Sequence, residues 1–80
     1  MKIFVVDTKS RRKVFEVENN QKIKELKDKI REKNGVNTNV SIELLSGGQI
    51  LEDEETIEYY DIEEYNVLTY IGEFRGGIFL

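Results

Sequence analysis

Few residues in this sequence are suited to covalent chemistry. The chain has no histidine and no cysteine. The commonest general base near neutral pH and the commonest metal ligands are therefore absent. No Ser/His or Cys/His pair is available to make a nucleophile. Sixteen carboxylates remain, four of them consecutive in the run EDEE at 52–55. That run reads as a solvated surface turn, so the chain is not expected to be an enzyme or to hold a metal or cofactor. The other unusual stretch is EFRGGIFL, where two bare glycines stand between Arg75 and three large apolar residues. Neither composition nor charge accounts for it.

Eighty residues suffice for one domain. A chain of this size buries only about 60% of the surface its unfolded form exposes, and without cysteine no disulfide adds to its stability. The net charge of −4 conceals an asymmetry. Residues 1–40 hold 11 Lys/Arg against 6 Asp/Glu, whereas residues 41–80 hold one Arg against 10 Asp/Glu. Two solvated faces would keep a small domain soluble; alternatively, opposed patches would steer different partners to different sides. The acidic half would repel phosphate, so nucleic acid is not an expected partner. The opening MKIFVVDTKS is too short in apolar residues for a signal-peptide core. No segment approaches the roughly 20 apolar residues of a membrane-spanning helix. A soluble monomer in the cytoplasm or nucleus is expected.

KIFVV alternates, with Ile3 and Val5 on one side and Lys2, Phe4 and Val6 on the other, and so reads as a strand. DTKSRR is a polar turn, and KVFEVE is a second strand with Phe15 and Val17 on its apolar face, completing a hairpin. In NNQKIKELKDKIREKNG, Ile23, Leu26 and Ile30 form a helical stripe on a wet background. Gly35 fits a left-handed helix end, although the same Asn-Gly pair could form a hairpin turn. The helix start is poorly marked: Asn20 could cap it, while Lys22 and Lys24 oppose the helix dipole. In VSIELLSGGQIL, Val40, Ile42 and Leu44 alternate as a third strand, SGG turns the chain, and QIL makes a short fourth strand. Ile57, Tyr60 and Ile62 are expected core contacts around a short helical turn. VLTYIGEF is the last strand, with Leu68 and Tyr70 inward and Val67, Thr69 and Ile71 outward. One amphipathic helix must bury its stripe on a single mixed sheet of four to five strands, an α+β arrangement.

In this order and spacing the segments resemble the ubiquitin family over nearly the whole chain. The similar stretches are MKIFV, FEVE, IKELKDKIREKNGV, LLSGGQILEDEETIEYYDI and the closing RGG. The resemblance implies a β-grasp domain over 1–74, a flexible Arg-Gly-Gly tail at 75–77 and a removable extension at 78–80. In conjugated members the C-terminal carboxylate is adenylated, passed to a cysteine as a thioester, and delivered to a lysine. Glycine suits that path, because a tail without side chains threads a narrow active site. Gly77 would then carry the reactive carboxylate with Gly76 beside it, once a processing protease removes Ile78, Phe79 and Leu80. Arg75 would present a planar donor array to an acidic channel. Alternatively, the last three residues extend the final strand or fill an apolar groove. The implied partners are a processing protease, activating and conjugating enzymes, target-protein lysines and ubiquitin-fold-binding domains.

The chain departs from the family at several positions. Glu73 replaces an arginine that ubiquitin's activating enzyme recognises, which points to a dedicated activating enzyme. Gly72 replaces a leucine and is expected to loosen the tail. The family's apolar recognition patch maps to Leu45, Ile71 and Thr8, with Leu44 as an alternative to Leu45 because one residue is inserted between 36 and 50. The lysines most used for chains correspond to Gln49 and Glu64, whereas Lys27, Lys29 and Lys33 remain as possible acceptors. Asn37 and Thr38 stand in place of a proline pair. Other readings are a non-covalent interaction module acting through Leu45 and Ile71, and a sulfur carrier with a thiocarboxylate on Gly77.

Overall fold

The chain's apolar alternation produces five strands and one helix in the order the sequence implies. The structure is a computed structural model that describes residues 1–37 and 40–72. The strands are β1 (Lys2–Val6), β2 (Arg12–Glu16), β3 (Ile42–Ser46), β4 (Gln49–Ile50) and β5 (Val67–Gly72), and the helix α1 is Ile23–Asn34. A single turn of 3₁₀ helix spans Glu58–Tyr60. The sheet order is β2-β1-β5-β3-β4. Strands β1 and β5 pair in parallel at the centre, and every other pairing is antiparallel. One helix packed on a five-stranded mixed sheet is the β-grasp arrangement.

The helical stripe Ile23, Leu26 and Ile30 is fully buried, each residue at most 1% exposed. It meets the inward residues of four strands, among them Ile3, Val5, Phe15, Leu44 and Leu68, with Leu51, Ile57 and Ile62 closing one side. Tyr60 packs against the same cluster as a partly buried residue. Strand β2 is shorter than KVFEVE implies, but Val17 stays buried, its N–H donating to the Met1 carbonyl (2.8 Å). The β3–β4 turn is held at Gly47 and Gly48, with φ of +57° and +83°. Two consecutive positive φ values are what a two-residue hairpin of this twist demands. The Leu45–Ile50 and Ser46–Gln49 pairs flank it.

At the helix C-terminus Gly35 is left-handed (φ +68°), and the Val36 N–H reaches the Arg31 carbonyl at 2.8 Å. The alternative hairpin reading of Asn-Gly is thus overturned. The N-terminus also differs from expectation. The capping position is Lys22, not Asn20. Two of the free N–H groups of the first turn are satisfied from outside the helix: Ile23 donates to the Glu55 carbonyl (2.9 Å) and Lys24 to the Asp53 carbonyl (3.1 Å). The Glu25 carboxylate accepts from the Lys22 N–H at 3.1 Å. Lys22 and Lys24, the two cations that oppose the dipole, both reach Glu54, at 3.1 and 3.2 Å. A carboxylate is placed where the dipole favours it.

Hydrogen bonds from Lys22 and Lys24 hold the Glu54 carboxyl below its usual range around 4.5. A depressed carboxylate contributes stability above its unfolded pKa and loses it as pH falls through the folded one. Replacing Glu54 by Gln is expected to lower Tm by about 1–4 °C near neutral pH at low salt. The difference from wild type should close below pH 4.5 and shrink in concentrated salt. Thermal melts across pH and salt measure it, and a gap that persists in acid would exclude the ion pairs as its cause.

Candidate functional site

Alternation along the strands leaves one sheet face to solvent, and the pairing register determines which side chains meet there. Leu45 lies opposite Thr69 and Ile50, Ile71 lies opposite Glu43, and Val67 lies beside Phe4. Phe4 in turn faces Val14 across the β1–β2 pair. Exposed or half-buried apolar side chains therefore cross the whole sheet, from Val14 through Phe4 and Val67 to Leu45, Ile50 and Ile71. Tyr65 extends this surface, its ring stacked 6.1 Å from that of Phe4, and Arg12 lies over Phe4 at 5.0 Å.

Of the residues expected to form a recognition patch, Leu45 and Ile71 are on this face. Leu44 is not: it is 0% exposed, opposite Tyr70 in the core. The register thus decides between the two leucines, since neighbours in a strand point to opposite faces. Thr8 is exposed in the β1–β2 loop, beyond the last β1–β5 pair at Val6 and Thr69. Phe4, Val67 and Ile50 were not singled out from the sequence as candidates. Their outward orientation was readable from alternation, but their proximity depends on the parallel β1–β5 pairing. A broad cleft adjoins Ile50 and Ile71, lined by Glu43, Glu52, Asp53 and Glu55.

The candidate acceptor lysines differ in environment. Lys27 is buried, with its side chain 7% exposed and its amine 2.6 Å from Asp53 and 3.2 Å from Glu43. Lys29 donates to the Glu16 carbonyl at 2.8 Å. Lys33 donates to the Val14 carbonyl at 3.3 Å and sits 5.2 Å over the Phe15 ring. A nucleophilic amine must be accessible, so Lys29 and Lys33 need only a surface rearrangement, whereas Lys27 would have to leave two carboxylates.

Gly72 is not itself a loose position. It is buried and belongs to β5, paired with Ile42. A Cβ at this position would lie 2.8 Å from the Tyr70 hydroxyl and 3.0 Å from its Cε1. The missing side chain thus makes room for the Tyr70 ring. Glu73, Arg75, Gly76, Gly77 and the extension at 78–80 lie outside the described residues.

The fold is that of a known family, and the ubiquitin family's sequence model matches residues 3–75. The chain belongs to the ubiquitin family. A comparison with curated proteins returns no match. Within this ubiquitin-like protein, two of the four carboxylates of 52–55 are tied to lysines: Asp53 holds Lys27, and Glu54 holds Lys22 and Lys24. Among the described residues no group of acidic side chains could hold a metal ion, and no helix is long and apolar enough to cross a membrane.

Two tests follow from this geometry. Leu44→Ala is expected to cost about 2–5 kcal/mol, as for a leucine removed from a packed core. Leu45→Ala and Ile71→Ala should each cost less than about 1 kcal/mol, because both are partly solvated. Chemical denaturation distinguishes them, and equal losses at Leu44 and Leu45 would refute the register. Gly72→Ala should destabilise by about 1–3 kcal/mol by overpacking against Tyr70. Combined with Tyr70→Leu, the same change should be neutral or stabilising, since alanine is then the better strand residue. Additivity of the two changes would show that the ring does not dictate the glycine.

Proposed function

We propose that this ubiquitin-like protein is a covalent modifier, matured by proteolysis after Gly77 and conjugated through the Gly77 carboxylate to lysines of target proteins. The observation that carries this reading is the family match running to residue 75, immediately before Gly76 and Gly77. A β-grasp domain followed by an arginine and two glycines supplies a fixed body and a segment without side chains. The chain carries neither histidine nor cysteine, so in this reading the chemistry falls to partners: a processing protease, an activating enzyme, a conjugating enzyme and the acceptor lysine. Glu73 favours an activating enzyme dedicated to this protein, because a carboxylate facing acidic recognition groups in a desolvated contact costs several kcal/mol. Within the cell we place it in the cytoplasm or nucleus, acting as a monomer without nucleic acid or membrane.

The outward face of the sheet supports a second reading. Leu45 and Ile71, continued by Val67 and Phe4, form an apolar surface of the kind that marks a partner site. A non-covalent module would use it to bind other proteins without any cleavage.

The form ending at Gly77, incubated with ATP and a host extract, should give a higher-mass adduct that reducing agent removes, as expected of a thioester. Intact mass of the native protein should show loss of residues 78–80. Gly77→Ala should reduce adduct formation at least tenfold while leaving the fold and the sheet face unchanged. Binding partners retained equally by this variant, with no adduct and only full-length chain in cells, would favour the non-covalent module.

A further inference from the structure

Away from the sheet's apolar face, the β1–β2 loop and the C-terminal turn of α1 enclose a cleft of about 260 Å³ lined by Asp7, Arg11, Lys13, Asn34 and Tyr70. Its polar groups are unequally satisfied. The Asp7 carboxylate is fully engaged: Oδ1 accepts from the Lys9 and Arg11 N–H groups, both at 2.9 Å, and Oδ2 accepts from Arg11 Nε at 2.7 Å. Burial pushes this carboxyl up, but those hydrogen bonds outweigh it and hold it below its ordinary value. Asn34 Oδ1 accepts from the Lys13 amine. The acceptors of the cleft are therefore taken.

The donors are not. Among the described residues Lys13 has no carboxylate within ion-pair range, and the Arg11 Nη groups have no partner. Tyr70 is 2% exposed, and among the described residues its hydroxyl donates to no acceptor, although the Asn34 side chain lies close to it. Burial raises the phenol above its ordinary value, and the neighbouring Asn34 amide and Arg31 offset this only in part. A buried hydroxyl without a partner loses the hydrogen bonds it would make in water. A site with satisfied acceptors, free cationic donors and an unpaired hydroxyl is complementary to a group that only accepts.

We propose that this cleft binds a single oxyanion, phosphate or carboxylate, held by the Lys13 amine, the Arg11 guanidinium and the Tyr70 hydroxyl. The Asp7–Arg11 pair is internally neutral, so Lys13 supplies the net positive charge. The site is independent of the tail chemistry proposed above and of the sheet face.

The test is a titration followed by amide and tyrosine NMR shifts. Inorganic phosphate and acetate probe the free ion, and a blocked phosphoserine tripeptide probes the same group carried on a peptide. Saturable shifts confined to residues around 7–13, Asn34 and Tyr70 are expected. Peptide binding at least tenfold tighter than phosphate assigns a peptide-borne group, and otherwise the ligand is the free ion. Tyr70→Phe and Lys13→Gln should each weaken binding by about tenfold or more, the usual consequence of losing a hydrogen bond to a charged group. Lys2→Gln, which removes the same charge elsewhere, should leave it unchanged. Shifts that stay linear and spread over all basic residues, or equal affinity in Tyr70→Phe and Lys13→Gln, would overturn the proposal.

Discussion

The start of α1 cannot satisfy itself, and much of this structure is arranged around that fact. Its first N–H groups find their acceptors at Asp53 and Glu55, some thirty residues later in the chain. Its two awkward cations are neutralised by Glu54 between them, and Lys27, one turn further on, lies between Glu43 and Asp53. Each of these four ion pairs joins the basic first half to the acidic second half. The charge asymmetry is therefore partly internal, which is a third use beside solvation and steering. The exposed pairs add little individually. Lys27 differs, since a nearly buried amine left without its carboxylates would be an uncompensated charge. Two carboxylates of the acidic run at 52–55, Asp53 and Glu54, are engaged in holding the helix.

The second constraint is register. A strand shows one set of side chains to the core and the other to water, and a slip of one residue exchanges them. Packing β3 antiparallel to β5 puts Leu44 opposite Tyr70 and leaves Leu45 opposite Thr69. The parallel pairing of β1 with β5 then brings Phe4 to Val67. Outward apolar residues that are far apart in sequence, at positions 4, 14, 45, 67 and 71, become neighbours only through these pairings.

This explains which features were readable beforehand. Strand and helix identities, the inward stripe of Ile23, Leu26 and Ile30, and the core roles of Ile57 and Ile62 all follow from local alternation, and the structure bears them out. The helix start did not follow, because the acceptors for its first two N–H groups come from another segment, and the local contribution is only Glu25, whose carboxylate takes the Lys22 N–H. The choice between Leu44 and Leu45 was open, because the inserted residue leaves the register ambiguous until β5 is paired. Gly72 was misread for a related reason. Glycine before a tail suggests looseness, yet here its lack of a side chain answers to Tyr70 two residues earlier on the same face. The buried fate of Lys27 was equally hidden, since a lysine on a charged helix reads as solvated until the loop opposite is known.

The exchange at Gly72 and Tyr70 also shapes the last described residues of β5. Pairing with Ile42 holds β5 through Gly72, and the ring of Tyr70 lies over that last glycine. A partner that grips the chain beyond Gly72 therefore pulls on a strand anchored at the sheet's centre, beside β1 and β3. The sheet face next to this exit combines Leu45, Ile50 and Ile71 with the carboxylates of Glu43, Glu52 and Glu55. Apolar burial there would provide affinity, while the carboxylates choose the partner: complementary basic groups speed encounter, and acidic ones meet like charge at a cost of several kcal/mol. The carboxylates are not alone there: Lys27 and Arg31 line the same cleft, and Lys27 is paired with Glu43, so the apolar residues are flanked by charges of both signs.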